Sequence, residues 1–198
     1  MIRRADPYPG CMAPTIRLID PGAMLSATHE LDDGSRVRLR LTRPSDGPRV
    51  REFLEGLSAE TRTRRFLSAT PAVSEATVRH FTFYDPRERI MLAATLPVDG
   101  RERIVGLADA AFLATGLAEI GLVVDDESQG QGIGKVLSEA VASVALSRGA
   151  TRLKAEMLNG NTPMLRLLER LGRTVRTVEE GRAVAYTRLQ ASRRRSAA

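Results

Sequence analysis

The sequence predicts an α/β domain built on one mixed, mostly antiparallel sheet flanked by helices. Three observations carry this. Val37, Leu39 and Leu41 alternate with Arg36, Arg38 and Arg40, the period of two that marks a half-buried strand. Three apolar runs between residues 90 and 124 follow one another across turns too short for a crossover, which is the pattern of antiparallel neighbours. From residue 133 onward, helical and strand patterns alternate around a single core.

Taken in order, residues 1–34 carry Pro7, Pro9, Pro14 and Pro21 with Gly10 and Gly22 and no sustained period, so they read as an irregular arm. After the strand at 36–41, Asp46 can cap a helix bearing Val50, Phe53, Leu54 and Leu57. Ser58 opens a second helix through Phe66 and Leu67, and Ser74 a short third one toward His80 and Phe81. Ile90–Leu96 is the next strand, Pro97–Arg101 supplies a turn, and Ile104–Leu113 returns as its partner. Thr115-Gly116 turns the chain into a third strand, Ala118–Val124. A glycine-rich loop follows, then a helix carrying Ile133, Val136, Leu137, Ala140, Val141 and Val144, ended by Gly149. Arg152–Met157 reads as a strand and Pro163–Leu171 as a helix stopped by Gly172; Val175–Val178 and Ala183–Leu189 form a closing hairpin. The expected organisation is an arm (1–34), one domain (35–189) and a basic tail (190–198) containing Arg193, Arg194 and Arg195.

With 42% hydrophobic residues in 198, the chain can bury a real core, and no run approaches the roughly 18 apolar residues of a membrane helix. The N-terminus has basic residues without an apolar run behind them, so it does not read as a signal peptide. A lone Cys11 excludes an internal disulfide framework, and two histidines argue against a metal site. The expectation is a cytoplasmic protein that uses no metal and no membrane. All but two of the 30 basic residues are arginine, Lys135 and Lys154 being the exceptions. The arm is net acidic and the tail basic, which leaves 35–189 still positive: suited to a polyanionic small molecule. Aromatics at 4% leave few stacking platforms, so nucleic acid is not favoured as a partner.

The chemistry concentrates in Glu119–Leu137, where an apolar strand runs into glycines 130, 132 and 134 and then into an amphipathic helix. Glycines let backbone N–H groups approach a ligand, and a helix N-terminus adds unpaired N–H groups, so a phosphate or pyrophosphate is the natural guest. A dinucleotide G-x-G-x-x-G fails because Lys135 stands where its third glycine belongs. A P-loop fails because Gly130 to Gly134-Lys135 is one residue short and Val136 replaces the Ser/Thr.

What does match is Gln129-Gly-Gln-Gly132-Ile-Gly134, which resembles the Q/R-x-x-G-x-G/A coenzyme A motif of the GNAT family of N-acetyltransferases. The resemblance runs over about 35–189; Leu158–Met164 with Leu168–Gly172 is similar to the family's later strand-to-helix segment. Ser58–Ser68 and Tyr84–Glu88 are similar to the acetyltransferase domain of bacterial Pat-type protein lysine acetyltransferases, which modify acyl-CoA synthetases. Their additional cyclic-nucleotide or synthetase-like module is not expected here.

The resemblance implies that Leu122, Val123 and Val124 pair through their backbone with the pantetheine arm of acetyl-CoA or another short acyl-CoA. It implies that Gln129, Gly130, Gln131, Gly132, Ile133, Gly134 and Lys135 hold the pyrophosphate, with Asn161 on the coenzyme arm. Glu119 falls where lysine-modifying members place a general base, a fitting role because a lysine ammonium must lose a proton before its nitrogen attacks. Two departures stand out. Leu168 occupies the position of a tyrosine general acid, and Gly172-Arg173 replaces the common Gly-Phe.

The functional expectation is therefore direct acyl transfer to an amine of a protein lysine, by a monomer or homodimer. Its rivals are transfer to a small amine and a non-catalytic acyl-CoA sensor. Other residues have plainer readings: Glu119 as an ion-pair partner, His80 as a packed surface histidine, and Arg62, Arg64 and Arg65 as a solvated helix face, although the resemblance puts that region beside the acceptor.

Overall fold

The computed structural model describes residues 27–68, 72–113 and 116–189. Eight strands form one sheet: β1 (Thr28–Glu30), β2 (Arg36–Leu41), β3 (Arg89–Val98), β4 (Arg101–Leu113), β5 (Leu117–Val124), β6 (Arg152–Leu158), β7 (Gly172–Glu179) and β8 (Arg182–Leu189). Their order across the sheet is β1-β2-β3-β4-β5-β6-β8-β7. Five helices flank it: α1 (Gly47–Gly56), α2 (Ala59–Phe66), α3 (Glu75–Thr82), α4 (Ile133–Ser147) and α5 (Thr162–Leu171). This is the mixed α/β sheet the sequence predicts, antiparallel at every pairing except β5 with β6. No described helix is long and apolar enough to cross a membrane.

Two cores lie on opposite faces. One joins β2–β6 and β8 to α4 and α5 through Leu39, Leu92, Ile120, Leu137, Leu153 and Leu168. The other joins β3–β5 to α1 and α3 through Val50, Leu54, Phe81, Met91, Leu107 and Val123. Burying each such aliphatic side chain contributes about 1.5–3 kcal/mol. Helix starts follow their caps: Ser58 and Ser74 accept from the N–H groups of Thr61 and Thr77.

The structure departs from the sequence expectation in three places. The sheet begins before Ser35: Thr28–Glu30 pairs with Arg36–Arg38, and Leu31 is buried, although that stretch has no period long enough to signal a strand. Pro97 lies in β3 opposite Glu102, and the turn is only Asp99-Gly100, both with positive φ. Pro97 is tolerated because β2 pairs with β3 only as far as Thr95, so no ladder partner needs its missing N–H. Asp46 precedes α1 but does not cap that helix with its side chain; its carboxylate accepts from the Arg43 N–H and binds Arg40 instead.

That ion pair fastens α1 to the sheet. The Arg40 guanidinium reaches Asp46 at 2.7 Å and Glu102 at 2.7 Å, with the Arg40 and Asp46 side chains only 11% and 3% exposed. Arg40→Ala leaves the buried Asp46 with only the Arg43 N–H and the longer Arg49 contact and should cost about 3 kcal/mol in denaturant unfolding. The Glu102 carboxyl is held down to about 2 from 4.5, first by its bonds from Arg40. Because the folded value lies below the unfolded one, this stabilisation is full above pH 4.5 and is lost as pH falls toward 2. Arg40→Ala should therefore flatten stability against pH in that acid window, which thermal melts will read.

Candidate active site

The site originates in the sheet. β5 stays on β4 through Val124, but it pairs with β6 only at Leu117–Glu119 against Arg152–Lys154. Beyond that, β6 continues on β8 to Leu158, so the two parallel strands part after Glu119 and Lys154. The parting opens a cleft of about 500 Å³, floored by Gly121–Val124 of β5 on one side and Glu156 and Met157 of β6 on the other. An extended strand edge without a neighbour offers backbone N–H and C=O groups to any extended ligand laid along it.

At the end of β5 the chain turns through Asp126–Ser128 and the glycine loop into α4. Gly130 and Gly132 have φ of 81° and 93°, the left-handed region that glycine enters without strain. The first intrahelical bond runs from the Val136 N–H to the Gly132 carbonyl, so the N–H groups of Ile133, Gly134 and Lys135 have no partner within the helix. Lys135 joins them at the cleft, and Arg166 and Arg170 of α5 line its opposite wall with Pro163, Met164 and Leu167. An anion-binding helix start, three cations and an open strand edge suit an extended ligand with a phosphate-bearing end.

Nine of the residues expected to contact the coenzyme line this cleft, Leu122, Val123, Val124, Gln129, Gly130, Gly132, Gly134, Lys135 and Asn161, and Arg64 and Arg65 line it too. Some act through structure. The Gln129 amide donates to the Val124 carbonyl at 3.1 Å, and Asn161 caps α5 by accepting from the Met164 N–H at 3.2 Å. Gln131 and Ile133 are not in the lining; the Gln131 amide donates to the Glu127 carbonyl and the Ile133 side chain is buried in the core. Leu168 is likewise in the core, so no side chain at that position faces the cleft.

Glu119 stands at the fork rather than in the cleft wall. Its side chain is 43% exposed and accepts from the Lys154 ammonium at 3.1 Å; Lys154 also donates to Glu156 at 2.7 Å. The bond to Glu156, then that to Glu119, raises the Lys154 ammonium above its ordinary value. On the same face, Asp109 lies opposite Gly121 and binds Arg65, whose guanidinium spreads over Gly121. A Cβ on Gly121 would meet Arg65 Nη1 at 2.6 Å. Arg65 is thus an inward residue, while Arg64 pairs with Glu60 and Arg62 donates to the Glu55 carbonyl; the three do not form one solvated face. His80 packs edge-to-face on Phe81 and contacts Arg89, away from the cleft.

Asp126 ties the two halves of the site together. Its carboxylate accepts from the Ser58 N–H and hydroxyl, both at 2.8 Å, and from the Thr61 hydroxyl at 2.6 Å. Burial would raise its pKa, but these bonds outweigh that and hold it below the ordinary value. Sequence reasoning missed Asp32, Arg166 and Arg170, and it named Arg65 only as part of a solvated helix face beside the acceptor. Arg166 and Arg170 were legible as an i, i+4 pair on α5; Asp32, and the inward turn of Arg65, carried no local signal.

The GNAT acetyltransferase family model matches residues 55–172. Acetyltransferase Pat of Mycolicibacterium smegmatis is 31% identical over 113 residues, 50% of this chain and 34% of that protein, so the match spans about a third of the curated relative. The GNAT domain of S. lividans PAT superposes with a TM-score of 0.75 at 29% identity, covering 84% of this chain and 98% of that one. A cAMP-binding acyltransferase from Mycobacterium smegmatis shares the fold at 23% identity and a TM-score of 0.56, over 85% of this chain and 48% of that one.

Two outcomes test the cleft. Asp32, from the β1–β2 turn, places a carboxylate oxygen 3.4 Å from where a Gly132 Cβ would stand and 3.6 Å from the Lys135 ammonium. It thus sets a negative charge beside an anion site, and Asp32→Asn should tighten inorganic pyrophosphate binding by roughly 0.3–1 kcal/mol in calorimetry. Weaker binding would mean that Asp32 serves by orienting Lys135. Gly121→Ala must lift Arg65 off Asp109 and should cost about 1–3 kcal/mol of stability. An unchanged melting curve would show that Arg65 yields freely.

Proposed function

The chain belongs to the GNAT family of acetyltransferases, and on that premise we propose that it transfers an acyl group from acetyl-CoA to the side-chain amine of a lysine in a protein acceptor. The transferring unit is the 35–189 domain together with the strand Thr28–Glu30. The cleft fits the coenzyme: the backbone of Leu122–Val124 takes the pantetheine arm and polarises the thioester carbonyl, and the N–H groups at the start of α4 with Lys135 hold the pyrophosphate. Arg166 and Arg170 add positive charge along the same wall.

Glu119 accepts the proton that the acceptor ammonium must lose. The freed nitrogen then forms its bond to the acyl carbon as the bond to sulfur breaks; the thiolate leaves with the electron pair and, through solvent, takes up the second proton that the nitrogen gives off in becoming an amide. No enzyme nucleophile is needed. The observation that carries the role of Glu119 is its position: a half-exposed carboxylate where β5 and β6 part, next to the open strand edge, which also accepts from the Lys154 ammonium at 3.1 Å. A protein acceptor is favoured over a small amine because β6, β8 and β7 leave Lys154, Tyr186 and Val175 beside Glu119 on a face that α2 borders at Gly121 but does not enclose. A small-amine site would be enclosed.

The rival reading, a coenzyme-binding sensor without turnover, draws on the burial of Leu168, which leaves no hydroxyl there to protonate the thiolate. Glu119→Gln should bind acetyl-CoA as the native chain does in calorimetry, yet lose roughly 10²- to 10⁴-fold in turnover on a lysine-containing acceptor. The loss should shrink at high pH, where the amine is already deprotonated. Full activity in the variant would return Glu119 to an ion-pair role, and absence of turnover in the native chain on any amine would leave the sensor.

A further inference from the structure

The register of the last strands brings three arginines into one row. Arg152 of β6 lies opposite Arg188 of β8, and Arg188 lies opposite Arg173 of β7. Paired residues share a face, so the three side chains emerge together, about 5 Å apart from strand to strand. All three residues are exposed. The row continues as Leu117 and the exposed Leu113, with no carboxylate in it. Among the described residues no carboxylate pairs with Arg152 or Arg188; Glu119 and Glu156 are both taken by Lys154. Like charges directly opposite one another across strands are destabilising. Nothing in the packing of this face requires guanidinium groups at Arg152 and Arg188.

The place of the row matters more than its charge. Glu119, Lys154, Tyr186 and Val175 form the neighbouring row on the same face, one side-chain repeat along the strands, about 7 Å away. The cleft opens on the other side of Glu119, along Gly121–Val124. Glu119 therefore sits between the coenzyme cleft and the arginine row. The carboxylates of this face collect elsewhere: Glu156 lies beside the cleft, and Glu179 pairs with Arg182 in register at the far end of the hairpin.

We propose that Arg152, Arg188 and Arg173 form a docking surface for an acidic segment of the acceptor protein, adjoining the lysine presented to Glu119. The inference rests on the reading of Glu119 as the group that receives the acceptor amine. An extended segment advances about 3.3 Å per residue, so carboxylates roughly two to five positions from the acceptor lysine reach the row. Guanidinium groups in a line match carboxylates spaced along a strand or helix, through the bidentate contacts that arginine makes and lysine does not. A protein rather than a nucleic acid is the partner because the row adjoins a site for a side-chain amine and offers one aromatic ring, Tyr186, for stacking.

Two fluorescent peptides with one central lysine test this, one with glutamates at positions +2 to +5 and one with glutamines there. Anisotropy in the presence of coenzyme A should show the native chain binding the glutamate peptide about tenfold more tightly, a factor equivalent to 1.4 kcal/mol. Arg152→Gln with Arg188→Gln should abolish that preference while leaving the glutamine peptide and acetyl-CoA binding unchanged, and salt should erode it in the native chain alone. Equal binding of the two peptides by the native chain, or a preference that survives the double variant, overturns the proposal. So does a DNA duplex whose binding is lost in the variant without any peptide discrimination. Turnover is read separately: discrimination in binding with no acetylation of either peptide would uphold the surface and sink the transferase reading.

Discussion

Everything distinctive about this molecule depends on where β5 and β6 stop pairing. Three residues of parallel ladder, Leu117–Glu119 against Arg152–Lys154, hold the two halves of the sheet in one plane. Beyond them β5 remains with β4 and β6 with β8, so each half is satisfied on its outer side and only the inner edges go without partners. Unpaired backbone in a sheet interior is costly unless water or a ligand reaches it. The cleft supplies that access, and the fork leaves Glu119 at its mouth with a half-exposed carboxylate.

The parting is held open from both faces. On one, α4 begins where β5 ends and crosses to feed β6, while α5 packs against its first turn: a Cβ on Gly134 would stand 3.3 Å from Leu167. On the other, Arg65 lies over Gly121 with its guanidinium on Asp109 and near the rings of Phe66 and Phe81. Asp126 then bolts the N-terminus of α2 to the start of the glycine loop through three hydrogen bonds. The helices on one face and the glycine loop are thus parts of one rigid frame, which is what positioning two reactants requires in the proposed transfer. Where this frame ends, over β6, β8 and β7, the sheet face is left open, and an acceptor larger than a small amine has room to approach.

The sequence by itself determined the elements and the anion site. Period-two alternation, serine caps at 58 and 74 and glycines at 130, 132 and 134 are local signals, since each acts on residues within one turn or one strand of itself. The strand–glycine loop–helix run therefore pointed to the end proposed to bind phosphate, and the motif in it was specific enough to indicate the family. Even there, local reading could not tell a ligand contact from a structural one: Gln129 and Asn161 border the cleft, but their side chains brace β5 and cap α5.

Only the tertiary structure decided which residues meet across distance. Arg40, Arg62, Arg64 and Arg65 all look like solvated arginines in the sequence. Arg40 is nonetheless buried on Asp46 and Glu102, and Arg65 is drawn inward by Asp109, a residue 44 positions away. Asp32 comes from a segment without any period, yet its carboxylate stands over the glycine loop because β1 and β2 turn beside the start of α4. The row Arg152–Arg188–Arg173 exists only in the register of three strands, one of them separated from the other two by α5. The physical reason is the same each time: capping, turn chemistry and hydrophobic period are encoded within a few residues, whereas strand order, register and ion pairing depend on which surfaces the whole chain has already buried.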